Sequence, residues 1–360
     1  MIKSEIKWMS LAIQLAKKGL YYTEPNPRVG CVIVKNNQLI GQGWHQRAGQ
    51  NHAEINALNS IKDNNAKDAT VYVSLEPCCH QGKTPPCVSA LIKAQVAKVV
   101  VAMIDPNPLV SGNGIQALKK AGIKVELGLL EQQAKLLNPG FISIFNRNRP
   151  WVRLKLAMSL DGRTAMKSGE SMWVTGNYAR KDGHKLRAQS GAIITGIGTV
   201  LKDNPQMTVR GLNIGRQPIR VVLDSKLKVP LDANIFQSTG QVIIFCCQSN
   251  SYKKSLLEQM NVKVIEDKSH SSKLDLKFVL SWLAKNSVNE VLIEAGATLA
   301  ASFIEQKLVD ELIVYMSTKI MGATARPLVN LPLKNINDAI EFKLKDIRQI
   351  DKDIKFTLIP

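Results

Sequence analysis

Three metal-type side chains far apart in this 360-residue chain restrict its fold more than any other feature: His52, Cys78 and Cys87. His52-Ala53-Glu54 opens a predicted helix, Pro77-Cys78 follows a predicted strand, and Cys87 stands nine positions later at the start of another helix. One imidazole and two thiolates occupy three corners of a zinc tetrahedron and leave the fourth to water, the open arrangement of a catalytic site. Zinc lowers the pKa of such a water from 15.7 toward about 7, so it serves as a nucleophile at neutral pH. Glu54 leaves the helix start in a different direction from His52, so it reaches the water without ligating and is the candidate acid/base. A closed, non-catalytic knot that also uses His80 is the alternative, and it would have no use for Glu54.

The segments around these residues alternate between helical and strand periodicity. Residues 5–18 carry Ile6, Met9, Ile13 and Ala16 near helical spacing, and Val29 to Val34 and Leu39 to Trp44 read as strands separated by Asn36-Asn37. A helix from about His52, a strand at Thr70 to Leu75, a helix from about Pro86, a strand at Lys98 to Met103, and a helix and strand ending near Leu127 complete an α/β layer sandwich. Phe145 to Pro150 is polar and without periodicity, which places a domain boundary between residues 1–146 and 147–360. Strand patterns then resume at Trp151 to Met158, Ala192 to Thr195, Ile219 to Leu223, Val242 to Cys246, Glu290 to Glu294 and Glu311 to Met316. Helical patterns at Leu274 to Lys285 and Thr298 to Gln306 are interleaved with them, giving a second α/β domain.

Composition narrows the function classes. No apolar run approaches the ~18 residues of a membrane span, so a soluble, unprocessed, cytoplasmic protein is expected, with no membrane partner. The formal charge of +19 raises nucleic-acid binding, yet the excess is spread as +7 over residues 1–146 and +12 over the rest. Aromatics are 5% of residues and do not cluster with lysines, as a stacking platform would require. Specific nucleic-acid binding is therefore not expected. Cys31, Cys246 and Cys247 lie in apolar runs and read as small buried hydrophobes.

A His-x-Glu followed by Pro-Cys and a second Cys is the signature of zinc nucleobase deaminases, although that signature spaces its cysteines by two residues where this chain has eight. NPRVGCVIV from Asn26, GWHQRAGQNHAEINAL from Gly43, LEPCCHQGKTPPC from Leu75 and DPNPLVSGNG from Asp105 go further. With KLAMSLDGRTA from Lys155, SGESMWVTG from Ser168, LRAQSGAIITGIGTVLKDNPQMTVR from Leu186, VVLDS from Val221 and IEAGATLA from Ile293, they resemble the bacterial bifunctional riboflavin-biosynthesis deaminase–reductases over nearly the whole chain. The long cysteine spacing is that family's own.

The resemblance implies a cytidine-deaminase-like α/β/α sandwich followed by a dihydrofolate-reductase-like α/β domain. It implies zinc on His52, Cys78 and Cys87, with Glu54 as acid/base. Asn26, His45, His80, Lys83 and Asn107 fall on positions that contact a diaminopyrimidinone ribosyl phosphate, and Lys83 suits its phosphate as a flexible point charge. Cys79, where the family often has serine, and Asn113, where lysine is common, depart from the pattern without touching the ligands or the acid/base.

The second half, read from its residues alone, offers only Gly196-Ile197-Gly198-Thr199 and Glu294 to Thr298, each joining a strand to a helix where backbone amides meet an anion; turn glycines are the alternative. There is no G-x-G-x-x-G, so an ordinary dinucleotide-binding domain is disfavoured. The resemblance implies hydride transfer from NADPH that opens ribose to ribitol. It places Ala157, Trp173, Thr199, Asp203, Ser225 and the run Gly296, Ala297, Thr298, Leu299, Ala300, Ala301 and Ser302 on the cofactor. It places Lys155, Ser171, Arg187, Met207, Arg210 and Glu294 on the substrate, and Lys155 is the candidate to polarise or protonate the sugar oxygen as hydride arrives. Arg187 and Arg210 suit a phosphate by their planar fork, solvated helix charges being the other reading. Expected partners are a small phosphorylated pyrimidine and further copies of the chain in a homo-oligomer. A nucleic-acid or nucleoside deaminase with an accessory binding domain, and a zinc-stabilised binding module, are the competing functions.

Overall fold

The computed structural model describes residues 2–80, 85–268 and 272–360. They form two compact units, Met1–Asn148 and Arg149–Pro360. In the first, the order is α1 (Ile2–Lys17), β1 (Gly30–Lys35), β2 (Gln38–Trp44), α2 (Ala53–Asn59), β3 (Thr70–Val73), α3 (Cys87–Lys93), β4 (Lys98–Val101), α4 (Asn113–Lys120), β5 (Lys124–Leu127), α5 (Glu131–Lys135) and α6 (Pro139–Arg147). The strands lie in the order β2-β1-β3-β4-β5, with β1 antiparallel to both its neighbours and β3, β4 and β5 parallel.

Alternation along these strands builds the layers. Cys31, Ile33, Val71, Val73, Val99 and Val101 point to the face covered by Ala53 and Ala57 of α2, Val88 and Leu91 of α3, and Leu118 of α4. Val32, Val34, Tyr72 and Val100 point to the other, covered by Met9, Ala12 and Ala16 of α1 and by Ala134 and Leu137. A β-carbon on Gly43 would lie 2.4 Å from the backbone nitrogen of Ala57, so glycine is what lets β2 pack directly on α2.

The polar run at Phe145 differs from its predicted irregularity: Phe145 to Arg147 close α6, and the chain turns at Asn148, in the left-handed region with φ 53°. Asn tolerates that conformation, and with Asn148 it ends the helix.

The second unit contains β6 (Trp151–Met158), β7 (Arg163–Ala165), α7 (Asn177–Gln189), β8 (Ala192–Gly196), α8 (Ile197–Asp203), β9 (Ile219–Leu223), β10 (Val242–Cys246), α9 (Ser251–Gln259), β11 (Val262–Glu266), α10 (Leu276–Lys285), β12 (Glu290–Ile293), α11 (Ala297–Glu305), β13 (Glu311–Met316), β14 (Arg326–Pro327), β15 (Lys343–Ile350) and β16 (Asp353–Ile359). Nine strands form one sheet in the order β11-β10-β9-β8-β12-β6-β13-β16-β15, parallel from β11 to β13 and then antiparallel. The inner parallel strands β8, β10 and β12 are buried on both faces, which explains runs such as AIIT, VIIF and VLI. Asp275 caps α10 by accepting from the Lys277 amide at 2.8 Å.

A charged group lies among β6, β12, β13 and β15. Arg153 donates to Glu290 and, at 2.8 Å, to Glu311, whose other oxygen accepts from Lys345 at 2.9 Å. In these contacts two acids meet two bases, so the buried carboxylates of Glu290 and Glu311 face cations. Among the described residues, no helix is long and apolar enough to cross a membrane.

Candidate active sites

His52 is the N-cap of α2, Cys87 the first residue of α3, and Cys78 lies in the segment after β3. The ligand atoms of the three lie within 4.8 Å of one another. His52 Nδ1 is 3.2 Å from Cys87 Sγ and 3.5 Å from Cys78 Sγ, and the Cys87 amide donates to Cys78 Sγ at 3.4 Å. Among the described residues no fourth His, Cys, Asp or Glu joins this group. His80 is exposed and outside it, and the Cys79 thiol faces the Leu109 carbonyl at 3.8 Å, so the closed four-ligand knot is not what the chain builds. The donor set is soft, clustered and open on one side, which fits zinc.

Glu54 is 3% exposed, and burial, reinforced by the neighbouring Cys78 sulfur, pushes its carboxyl up to about 7. A hydrogen bond from Cys87 favours the Cys78 thiolate most and, despite burial, brings its pKa down to about 4; the same contact, followed by burial, keeps Cys87 protonated. One proton is thus held between two sulfurs, where a divalent cation would displace it.

A cavity of about 310 Å³ opens on this cluster and brings together Asn26, His45, His52, Glu54, Cys78, His80 and Asn107. Lys83 lies outside the described residues. His45 Nδ1 donates to the Asn51 carbonyl at 3.0 Å, leaving Nε2 to accept from Asn26 Nδ2 at 3.1 Å, and burial lowers the His45 pKa, so the ring is neutral. Sequence reasoning missed Gln50, Glu76, Asp105 and Phe141 on the same wall. Glu76 is 3% exposed and accepts from the amides of Asp105 (3.2 Å), Gly112 (2.9 Å) and Ile115 (3.2 Å), clamping the segment that carries Asn107. Its position beside Pro77-Cys78 was the only available signal.

In the second unit, β8 and β12 are neighbours, and each runs through a glycine into a helix: Gly196 into α8 and Gly296 into α11. A β-carbon on Gly196 would sit 3.3 Å from Leu299, while one on Gly198 or Gly296 meets nothing within 4 Å, so bare backbone faces open space there. Neither helix has a side-chain cap, which leaves amide donors for a phosphate and fits a dinucleotide. Gly296, Ala297, Thr298, Leu299 and Ser302 are partly or fully exposed, whereas Ala300 and Ala301 are buried beneath the helix. Thr199 and Ser225 are partly exposed, and Asp203 and Trp173 are exposed.

Lys155 and Ala157 lie on β6. Burial lowers the Lys155 pKa; Glu294 opposes the change and Arg187 adds to it. Arg187 is no solvated helix charge: it makes a two-pronged pair with Glu294 at 2.6 and 2.9 Å and donates to the Thr208 carbonyl at 2.9 Å. Burial raises the Glu294 pKa, but Arg187 outweighs it and holds the carboxyl at about 2. Arg210 is exposed and donates to Gln206, Met207 is buried with φ 53°, and Ser171 is partly exposed.

A zinc-type nucleotide-deaminase fold followed by a reductase fold defines the class, and the comparisons agree. Residues 2–103 match the cytidine and deoxycytidylate deaminase zinc-binding region, and residues 150–356 match the RibD C-terminal domain. The chain belongs to the RibD family, two-domain deaminase–reductases of riboflavin biosynthesis. It is 45% identical to the riboflavin biosynthesis protein RibD of Escherichia coli, covering 98% of each chain, and 38% identical to that of Aquifex aeolicus, covering 96% of each. Among solved structures it is similar to Acinetobacter baumannii RibD (TM-score 0.93, 47% identity, 100% of this chain and 99% of that one). It is also similar to a Thermotoga maritima diaminohydroxyphosphoribosylaminopyrimidine deaminase/5-amino-6-(5-phosphoribosylamino)uracil reductase (TM-score 0.87, 34% identity, the same coverage).

Proposed function

We propose that the first unit deaminates 2,5-diamino-6-(5-phosphoribosylamino)pyrimidin-4(3H)-one and that the second reduces the ribosyl group of the product to ribityl phosphate with NADPH. The observation that carries this reading is the cluster of His52, Cys78 and Cys87 with a buried carboxyl, Glu54, outside the ligand set. Held by the three ligands, zinc supplies a Lewis acid that makes a water nucleophilic at neutral pH. Glu54 takes a proton from the attacking water and gives it to the ring nitrogen, then takes the second proton from the hydroxyl now on the ring carbon and gives it to the amine, which departs as ammonia; a pKa near 7 suits both directions. Neutral His45 fixes the Asn26 amide, whose oxygen then faces the substrate as an acceptor. His80 and Asn107 line the same cavity as further contacts, and Lys83 is assigned to the phosphate by resemblance.

In the second unit NADPH supplies hydride. Its phosphates are assigned to the open starts of α8 and α11, with Ala157, Trp173, Thr199, Asp203 and Ser225 along the cofactor. Lys155, with its depressed pKa, gives a proton to the sugar oxygen as the ring opens. Glu294 and Arg187 hold the floor of that site, with Ser171, Met207 and Arg210 toward the substrate. Homo-oligomeric assembly in the cytoplasm completes the reading.

The test adds zinc and the diaminopyrimidinone ribosyl phosphate to purified protein, measures ammonia, then adds NADPH and follows its absorbance. Ammonia without NADPH oxidation would confine the claim to the first unit, and no ammonia would end it.

A further inference from the structure

Lys155 has an unusual neighbour that the assignments above do not use. On the face of the sheet covered by α7, Tyr315 of β13 pairs with Ala157 of β6 on one side and with Lys355 of β16 on the other. Its ring is 1% exposed, and its hydroxyl donates to Asp182 Oδ2 of α7 at 2.6 Å; Lys355 Nζ donates to the same oxygen at 2.7 Å. Lys155 Nζ lies 5.8 Å from the ring centroid and Lys355 Nζ 5.6 Å from it. Among the described residues the Lys155 amine makes no ion pair or hydrogen bond, and both oxygens of Glu294 are taken by the fork of Arg187. An amine on four rotatable carbons, with no hydrogen-bonding partner, needs something else to hold it in place. The π-face of a locked aromatic ring does so without occupying the amine's protons.

We infer that Tyr315 is a positioning residue for the reductase: its ring, pinned by the hydroxyl bond to Asp182, holds the Lys155 amine where it meets the sugar oxygen. Ala157 contributes by being small, since the strand position beside Tyr315 then leaves the ring and the amine in view of each other. Lys355 balances the Asp182 carboxylate, so that the buried hydroxyl has a fixed acceptor whose charge is compensated. The inference rests on the reading of Lys155 as proton donor, and the experiment separates the two.

Steady-state reductase kinetics are measured with saturating NADPH for the full-length zinc-loaded protein and four variants, with melting temperature and ammonia release as controls for folding. Lys155→Ala is expected to lower kcat at least a hundredfold. Tyr315→Leu is expected to lower kcat about tenfold with both KM values within twofold, and Tyr315→Phe, which keeps the ring, to recover to within threefold of the parent. Asp182→Ala, at a partly exposed position, is expected to lower kcat about threefold without opening the core, and so carries the test if Tyr315→Leu does not fold. If Lys155→Ala retains turnover, the proton-donor reading fails and the positioning role with it. If Lys155→Ala is inactive while folded Tyr315→Leu and Asp182→Ala keep parental kcat, or lose only KM, positioning alone is overturned. Tyr315→Phe as impaired as Tyr315→Leu also overturns it, since the ring would then contribute nothing.

Discussion

At Glu54 and Glu294 two buried carboxylates are driven in opposite directions by what lies beside them. Burial raises both: Glu54, with the Cys78 sulfur adding to it, reaches about 7, whereas Glu294, paired with the Arg187 guanidinium, is held at about 2. Replacing Glu54 with Gln should leave one zinc per chain by elemental analysis while deaminase kcat falls by roughly a hundredfold or more. Glu294, whose folded pKa is depressed, contributes stability that is complete above its ordinary value of 4.5 and is lost as pH falls through about 2. Acid denaturation of the second unit should therefore steepen between those values, and Glu294→Gln should flatten that limb; identical acid limbs would show that the Arg187 pair contributes no linkage. Of the site residues, His52, Glu54, Cys78 and Cys87 were legible because one imidazole and two thiolates beside a non-ligating glutamate match a deaminase signature, and the resemblance accounts for their long spacing. Arg187 was not, since a helix arginine reads the same whether it meets water or Glu294.

Element by element, most of the parallel strands announced themselves through apolar patterns, and the helices starting near His52 and Pro86 through their flanking residues; β11, VKVIE with an exposed Lys263, was missed. The hairpin of β15 and β16 escaped notice. Its outer strand, KLKDIRQI, is exposed over most of its length, so no buried face imprints a period on it. Glu76 escaped for a related reason: three amides from residues 105–115 converge on it, a long-range fact that no local pattern carries. Its substitution by Ala orphans those donors and should cost about 3 kcal/mol of stability in the first unit, read by urea unfolding. Gly43→Ala forces β2 away from α2 and should lower both stability and ammonia release, because α2 carries Glu54.

For the molecule as a whole, each unit buries hydrophobic clusters drawn from its own residues, and the zinc-type ligands all belong to the first. Stripping zinc with a chelator should accordingly abolish ammonia release and lower the melting temperature of the first unit, while NADPH oxidation with the deaminated substrate continues. A parallel loss of both activities would contradict that independence. The length and the aperiodic polar run at Phe145 to Pro150 suggested two units, and the division between the compact units falls at Asn148, but the turn there was not readable, since a polar run with Asn and Arg looks alike whether it ends a helix or links two domains. The break in register between Leu344 and Asp346 has a final consequence. The residue skipped there is Lys345, whose ammonium reaches Glu311 and pairs with the oxygen that Arg153 leaves free. The irregularity that keeps the sheet's last strand from being a flat template for stray chains is thus also where a half-exposed cation reaches back to the buried Glu311.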